Sequence, residues 1–177
     1  AGGELCHAQY RAQHNMTDVM AALALLADSD HASRETALAD FERRWRDDPL
    51  VMDKWFAVQA MSSRADALVQ VRTLMQHPAF SLRNPNKVRA LIGSFANANP
   101  LRFHAADGSG YEFLHEQVLA LDPANPQIAA RLLRVLSRWQ RYDEARQAKM
   151  RTVLESVLAA KVSKDVYEIA AKSLDRE

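Results

Sequence analysis

The sequence predicts an all-α fold: a superhelical array of antiparallel helix pairs, an α-solenoid of the HEAT or armadillo kind. Three observations lead there. Alanine, leucine, arginine and glutamine abound, all good helix formers, while 177 residues hold only five glycines and six prolines. Apolar residues recur at helical spacing in one short segment after another, and no segment alternates convincingly as a strand. Asn84-Pro85 returns as Asn125-Pro126, a period of about 40 residues, the length of a paired-helix repeat. A plain helical bundle fits the same stripes.

Taken in order, Gly3 to Gln13 is weakly helical, with Leu5, Cys6 and Tyr10 apolar. Asn15 or Thr17 can cap the next helix, whose face is Met20, Leu23, Ala24 and Ala27, and Asp28-Ser29-Asp30 ends it. Ser33 opens a helix with Ala37, Leu38, Phe41 and Trp45 on one side. Pro49 suits the first turn of a helix through Val51, Trp55, Val58, Gln59 and Met61, broken at Ser62-Ser63. Leu68, Val71, Leu74 and Met75 define another before His77-Pro78. After Asn84 the stripe is Val88, Leu91, Ile92 and Phe95. Asn97 to Gly110 reads as loop, and Ser109 with Glu112 has capping-box spacing for a helix through Phe113, Val118 and Leu121. Asn125-Pro126 opens a helix carrying Ile128, Leu132, Val135, Leu136 and Trp139. Asp143 to Ala160 is one long helix, and Ser163 caps the last, through Val166, Tyr167, Ile169 and Ala170. That makes roughly nine or ten helices. No linker divides them, so residues 1–177 are expected to form a single helical domain.

Composition narrows function mainly by exclusion. Apolar residues are 48% and charged residues 25%, ordinary for a globular chain. The net charge of +1 gives no general drive toward nucleic acid or a membrane surface. No run of 18 apolar residues exists to span a bilayer, and no basic, apolar leader opens the chain. Cys6, the only cysteine, has no partner for an internal disulfide, which fits a reducing, cytoplasmic setting. The chain starts with Ala1 rather than methionine, as expected after processing, tag removal or a cut from a longer protein.

Arg89 and Arg131 stand out. Each follows an Asn-Pro start, and the two are 42 residues apart. Arg89 lies at the edge of its stripe and Arg131 inside its own. On equivalent helices their guanidiniums would face a common cavity, and a pair of permanently charged forks suits a carboxylate or phosphate. The competing reading is a snorkelling or structurally paired arginine. His115-Glu116-Gln117-Val118-Leu119 is half of the zinc motif HExxH, but Leu119 stands where the second imidazole is required. The remaining histidines, His7, His14, His31, His77 and His104, show no ligand spacing. His104 in its loop reads as a structural hydrogen-bonding group, with His104, Asp107 or His115 the only candidates for an autonomous active site. Ser109 in GSGY has the wrong spacing for a nucleophile elbow. Trp45, Trp55 and Trp139 are spaced as core residues. The basic run Arg134, Arg138, Arg141, Arg146, Lys149, Arg151 interleaves with Asp143, Glu144 and Glu155, as a solvated face does.

The segments PLVMDKWFAVQA (49–60), MQHPAFSLRNPNKVRALIGSFANANPLRFHAADGSGYEFL (75–114) and KDVYEIAAKSL (164–174) resemble the C-terminal helical domain of bacterial aminopeptidase N, a zinc-dependent alanyl aminopeptidase of the gluzincin type. The similarity runs from about Asn15 to Leu174. The family's catalytic motifs, GxMEN and HExxH with a downstream glutamate, are absent here. The resemblance thus implies a domain with no catalytic residue and no metal ligand, working beside the N-terminal and catalytic domains of a longer enzyme whose zinc sits in the catalytic domain. It implies a superhelix that caps the catalytic domain and encloses a cavity for peptides. It also implies, through NPNKVRAL and NPQIAARLL, that Arg89 and Arg131 face that cavity and hold the carboxylate end of short peptide substrates. The alternative is a free-standing helical-repeat module that binds a peptide or protein.

Overall fold

A computed structural model describes residues 2–175. The described residues form helices and turns only. The chain divides into two compact units, Ala1–Phe95 and Ala96–Glu177, and the boundary falls inside a helix rather than in a linker.

The first unit stacks helices in sequence order. They are α1 (Gly2–Ala12), α2 (Met16–Ala27), α3 (Arg34–Trp45), α4 (Pro49–Ala60) and α5 (Ala67–Leu74), and each packs on the next. Caps set the starts. Asn15 accepts the Asp18 amide, and Asp48 accepts those of Leu50 and Val51 ahead of Pro49. The inward face of α2 is Val19, Ala22, Leu23, Leu26 and Ala27, one position round from the stripe predicted through Met20 and Ala24. Phe41, Met52 and Phe56 are fully buried, and the buried Trp55 ring donates to Leu38 O at 2.9 Å, tying α4 to α3. Trp45 is only half-buried.

The helix after Asn84 is interrupted. It runs as α6 (Pro85–Val88), a π-helical turn (Arg89–Gly93) and α7 (Ser94–Ala98). All four stripe residues, Val88, Leu91, Ile92 and Phe95, are fully buried, and the π-turn packs on α4. No residue pattern marks the π-turn. Its one extra residue per turn re-phases the helix without a Pro or Gly break at its start.

In the second unit the stretch predicted as loop contains α8 (Pro100–Phe103). A third Asn-Pro, Asn99-Pro100, starts it, and Asn99 accepts the Arg102 amide at 3.2 Å. Asn-Pro here marks helix starts, because asparagine caps and proline pre-sets the first turn; it does not mark a repeat phase. α9 (Ser109–Leu121) packs on α8, on α10 (Pro126–Leu133) and on α11 (Glu144–Ala159). A 3₁₀ segment (Arg134–Arg141) continues from α10, and α12 (Lys164–Leu174) packs on α10, on the 3₁₀ segment and on α11. The α11 stripe, Met150, Val153, Leu154 and Val157, is buried as predicted. Tyr167 is not core: it is 51% exposed, while Val166 and Ala170 turn inward. Buried Asp122 reaches the α12 cap, accepting from the Ser163 amide at 2.7 Å and from its hydroxyl.

Candidate functional site

Arg89 opens the π-turn. Asn84 Oδ1 accepts the amides of Asn86 (3.0 Å) and Lys87 (3.4 Å), and Pro85 fills the first helical position. With Val88, Leu91 and Ile92 buried, Arg89 is left exposed, its Nη1 donating to Asn86 Oδ1 at 3.4 Å. Its neighbour Lys87 behaves oppositely. Lys87 is buried, donates to Asp53 Oδ1 and to Pro49 O at 2.6 Å each, and lies 5.8 Å from the Phe56 ring centre. Asp53 answers that charge inside the unit, so the guanidinium of Arg89 is the one that reaches solvent.

Arg131 projects from α10. Asn125 Oδ1 accepts the Ile128 amide at 3.2 Å, and Pro126 is first in the helix. The inward residues are Ala129, Ala130, Leu132 and Leu133, with Leu136 beyond. Ile128 and Val135, which would have flanked Arg131 in the stripe, are only half-buried, and Arg131 is exposed. The inward stripe of α10 runs through Ala129, Leu132 and Leu133, one position round from a stripe that includes Ile128, so Arg131 falls outside it. Arg131 and Arg134 have no hydrogen-bond or ion-pair partner among the described residues. Both line a cleft of about 340 Å³ between α10 and α12, together with Gln127, Asp165, Glu168 and Lys172. Arg89 belongs to the first unit and Arg131 to the second.

His104 is engaged at every polar atom of its ring. Nδ1 is 2.8 Å from Tyr111 OH, Nε2 is 2.9 Å from Tyr142 OH, and the imidazole stacks on Tyr142 at 4.3 Å. Burial, with the Arg146 charge nearby, holds its pKa below the usual histidine range. Burial also pushes the Tyr111 phenol up to about 12. The backbone is tied in as well, since Arg146 Nε donates to His104 O at 2.7 Å. These contacts fit the structural, hydrogen-bonding role expected of His104.

Ser109 is not the cap of α9. Gly108 occupies that position in a left-handed conformation (φ 84°), and Asp107 Oδ1 accepts from the Ser109 amide (2.9 Å) and hydroxyl (2.8 Å). Those hydrogen bonds hold Asp107 below the usual carboxylate range. His115 has its Nε2 buried with no hydrogen-bond partner. Leu119 lies one turn on, and no three His, Cys, Asp or Glu side chains among the described residues are grouped to hold a metal ion. Of the basic run, Arg146 pairs with Asp143 (2.6 Å), Arg151 with Glu155 (2.8 Å), and Lys149 donates to Asp107 O.

Sequence reasoning missed Arg134, Asp165 and Lys172 as cleft residues. The available signal was spacing: Arg134 is three residues after Arg131, one helical turn away.

The chain matches, over residues 1–175, the family described as a domain of unknown function, DUF3458_C, of ARM repeats. It is 44% identical over 174 residues to aminopeptidase N of Haemophilus influenzae, covering 98% of this chain and 20% of that protein. It is 45% identical over 167 residues to aminopeptidase N of Escherichia coli K12, covering 94% and 19%. Among solved structures it is similar to Legionella pneumophila aminopeptidase A in complex with aspartic acid, with a TM-score of 0.94 and 36% identity over 99% of this chain and 21% of that one. The chain thus spans about a fifth of the length of the relatives it matches.

Proposed function

We propose, for a chain that belongs to the DUF3458_C family of ARM-repeat domains, that it works as the C-terminal helical domain of a longer zinc aminopeptidase. One observation carries this: identity of 44–45% is sustained across 93–98% of the chain against a fifth of each of three aminopeptidases N. In this reading the domain caps the catalytic domain, has the N-terminal and catalytic domains as partners, and acts in the cytoplasm, where its lone cysteine stays reduced. Zinc held in the catalytic domain would supply Lewis-acid chemistry there. In this reading the chain's own contribution is to shape and charge the substrate cavity.

Arg89 and Arg131 are the groups proposed for that work. Each has a buried apolar face behind it and an exposed guanidinium in front. A fork of this kind meets a peptide carboxylate with two parallel N–H bonds. Charge-assisted bonds are worth about 1.5–3 kcal/mol when well placed, so losing them costs on the order of tenfold or more in affinity.

The test is kinetic. In the full-length aminopeptidase, Arg89→Ala with Arg131→Ala should raise KM for tripeptides with a free carboxylate by about tenfold. KM and kcat for an aminoacyl anilide, which has no carboxylate, should stay put. A rise shared by both substrates, or by neither, would remove the assigned role. The 177-residue chain alone should hydrolyse neither.

A further inference from the structure

We propose that the cleft between α10 and α12 binds a small zwitterion, a short peptide or free amino acid, with the carboxylate on Arg131 and Arg134 and the ammonium on Asp165. The inference rests on the reading above for its choice of peptides as the ligand. It goes further in assigning Arg134 and Asp165, and in needing no contribution from the first unit.

The cleft holds charges without partners. Six of the described arginines, Arg34, Arg43, Arg44, Arg64, Arg146 and Arg151, pair with carboxylates. Arg131 and Arg134 do not, although two carboxylates line the same cleft. Glu168 is occupied, lying 3.6 Å from Lys172 and 3.8 Å from Lys164. Asp165 has no partner among the described residues. The cleft therefore holds two open guanidiniums and one open carboxylate, kept too far apart to pair with each other.

Helical spacing sets the geometry. Arg131 and Arg134 are three residues apart where α10 passes into the 3₁₀ segment, so their forks stand on one side, one turn apart. Asp165 lies in the first turn of α12, across the cleft. A ligand carboxylate can take N–H donors from two forks while its ammonium meets Asp165, and each charge is answered by its opposite. Ala130 and Ile169 give the cleft an apolar floor for a small side chain. Its volume of about 340 Å³ is at the small end for ligand sites, enough for an amino acid or dipeptide and too small for an extended chain. Three cations against two anions make the carboxylate the stronger anchor.

The experiment is a titration of the 177-residue chain, followed by NMR, with three ligands: Ala-Ala, N-acetyl-Ala-Ala and Ala-Ala amide. Ala-Ala should saturate the cleft, and each blocked dipeptide should bind at least tenfold more weakly. Arg134→Ala should weaken Ala-Ala by about tenfold and leave the amide unchanged. Asp165→Asn should remove the preference for a free amine, with Ala-Ala falling to the level of its acetylated form. Both positions are exposed, and far-UV circular dichroism confirms that each variant is folded. Equal binding of all three ligands, no saturation, or indifference to Arg134→Ala overturns the proposal. If these preferences hold while the Arg89 and Arg131 alanine variants leave peptide kinetics unchanged, the cleft stands and the cavity role falls. If the kinetics change and Arg134→Ala does nothing to binding, the reverse follows.

Discussion

His104 sits between two phenols, and the arrangement has a pH consequence. A neutral imidazole has one donor and one acceptor nitrogen, so one of Tyr111 and Tyr142 accepts from the ring while the other donates to it. A second ring proton would force both phenols to accept and would add a charge beside Arg146 in a half-buried site. The folded pKa is accordingly below the ordinary value of about 6.5. As pH falls, the unfolded chain takes up the proton first, so this stability is present above about pH 6.5 and is lost as pH drops through and below it. Urea unfolding should show a lower midpoint at about pH 5.5 than at about pH 7.5, and His104→Gln should flatten that slope. A variant whose slope matched the parent's would place the titration elsewhere. At this scale the sequence was partly legible. A structural role for His104 followed from its aromatic and small neighbours, but Tyr142 is 38 residues away and could not be seen. Lys87 was illegible for the same reason: burial of a lysine depends on Asp53, 34 residues distant, and nothing local announces it.

Elements begin where the sequence says and differ where the helix period changes. Asn15, Asn84, Asn125 and Ser163 all cap as read, because a short polar side chain before an apolar stripe has few other uses. The misses are the π-turn, the 3₁₀ segment and α8. The first two alter the residue count per turn, so a stripe drawn at 3.6 cannot report them. Arg131 lies outside its stripe for another reason: Ala129 and Leu133, rather than Ile128, turn inward on α10. The third was marked by Asn99-Pro100 and hidden by surrounding loop-like residues. Two helical glycines separate propensity from packing. At Gly93 an added Cβ would meet Arg89 Cγ and Val88 O at 3.7 Å, ordinary contact. Gly93→Ala should therefore raise stability by about 0.4–1 kcal/mol through the unfolded chain. At Gly110 the Cβ would lie 2.1 Å from Phe103 O, on the backbone of α8. Propensity favours alanine there too, but the clash must win. Gly110→Ala should cost on the order of 1–3 kcal/mol or more as α8 is pushed off α9. Urea midpoints of the two variants should move in opposite directions. A stabilised Gly110→Ala would mean that the approach of α8 to α9 is wrong.

For the whole molecule, the helical class was legible because it follows from composition and periodicity summed over many residues, which single errors do not disturb. The expectation that Arg89 and Arg131 face one cavity has no such support, since it joins residues of different units. Whether the two units behave as one domain can be tested directly. The boundary between them lies within α7, so no flexible linker absorbs the unfolding of one without reaching the other. Helix formation is cooperative along a segment, and stacked repeats pass stability to their neighbours. A single domain should then unfold in one transition. Tryptophans give separate reporters: Trp45 and Trp55 lie in the first unit, Trp139 in the second. Trp55→Phe removes the bond to Leu38 O and leaves space in the first core, so it should destabilise that unit. In a chain that also carries Trp45→Phe, fluorescence reports Trp139 alone. Its urea midpoint should fall in step with the far-UV signal, although no substitution lies in the second unit. A Trp139 transition that stays at the parental midpoint while the helical signal splits in two would show that the units unfold independently, and the array would then be two domains joined through a helix.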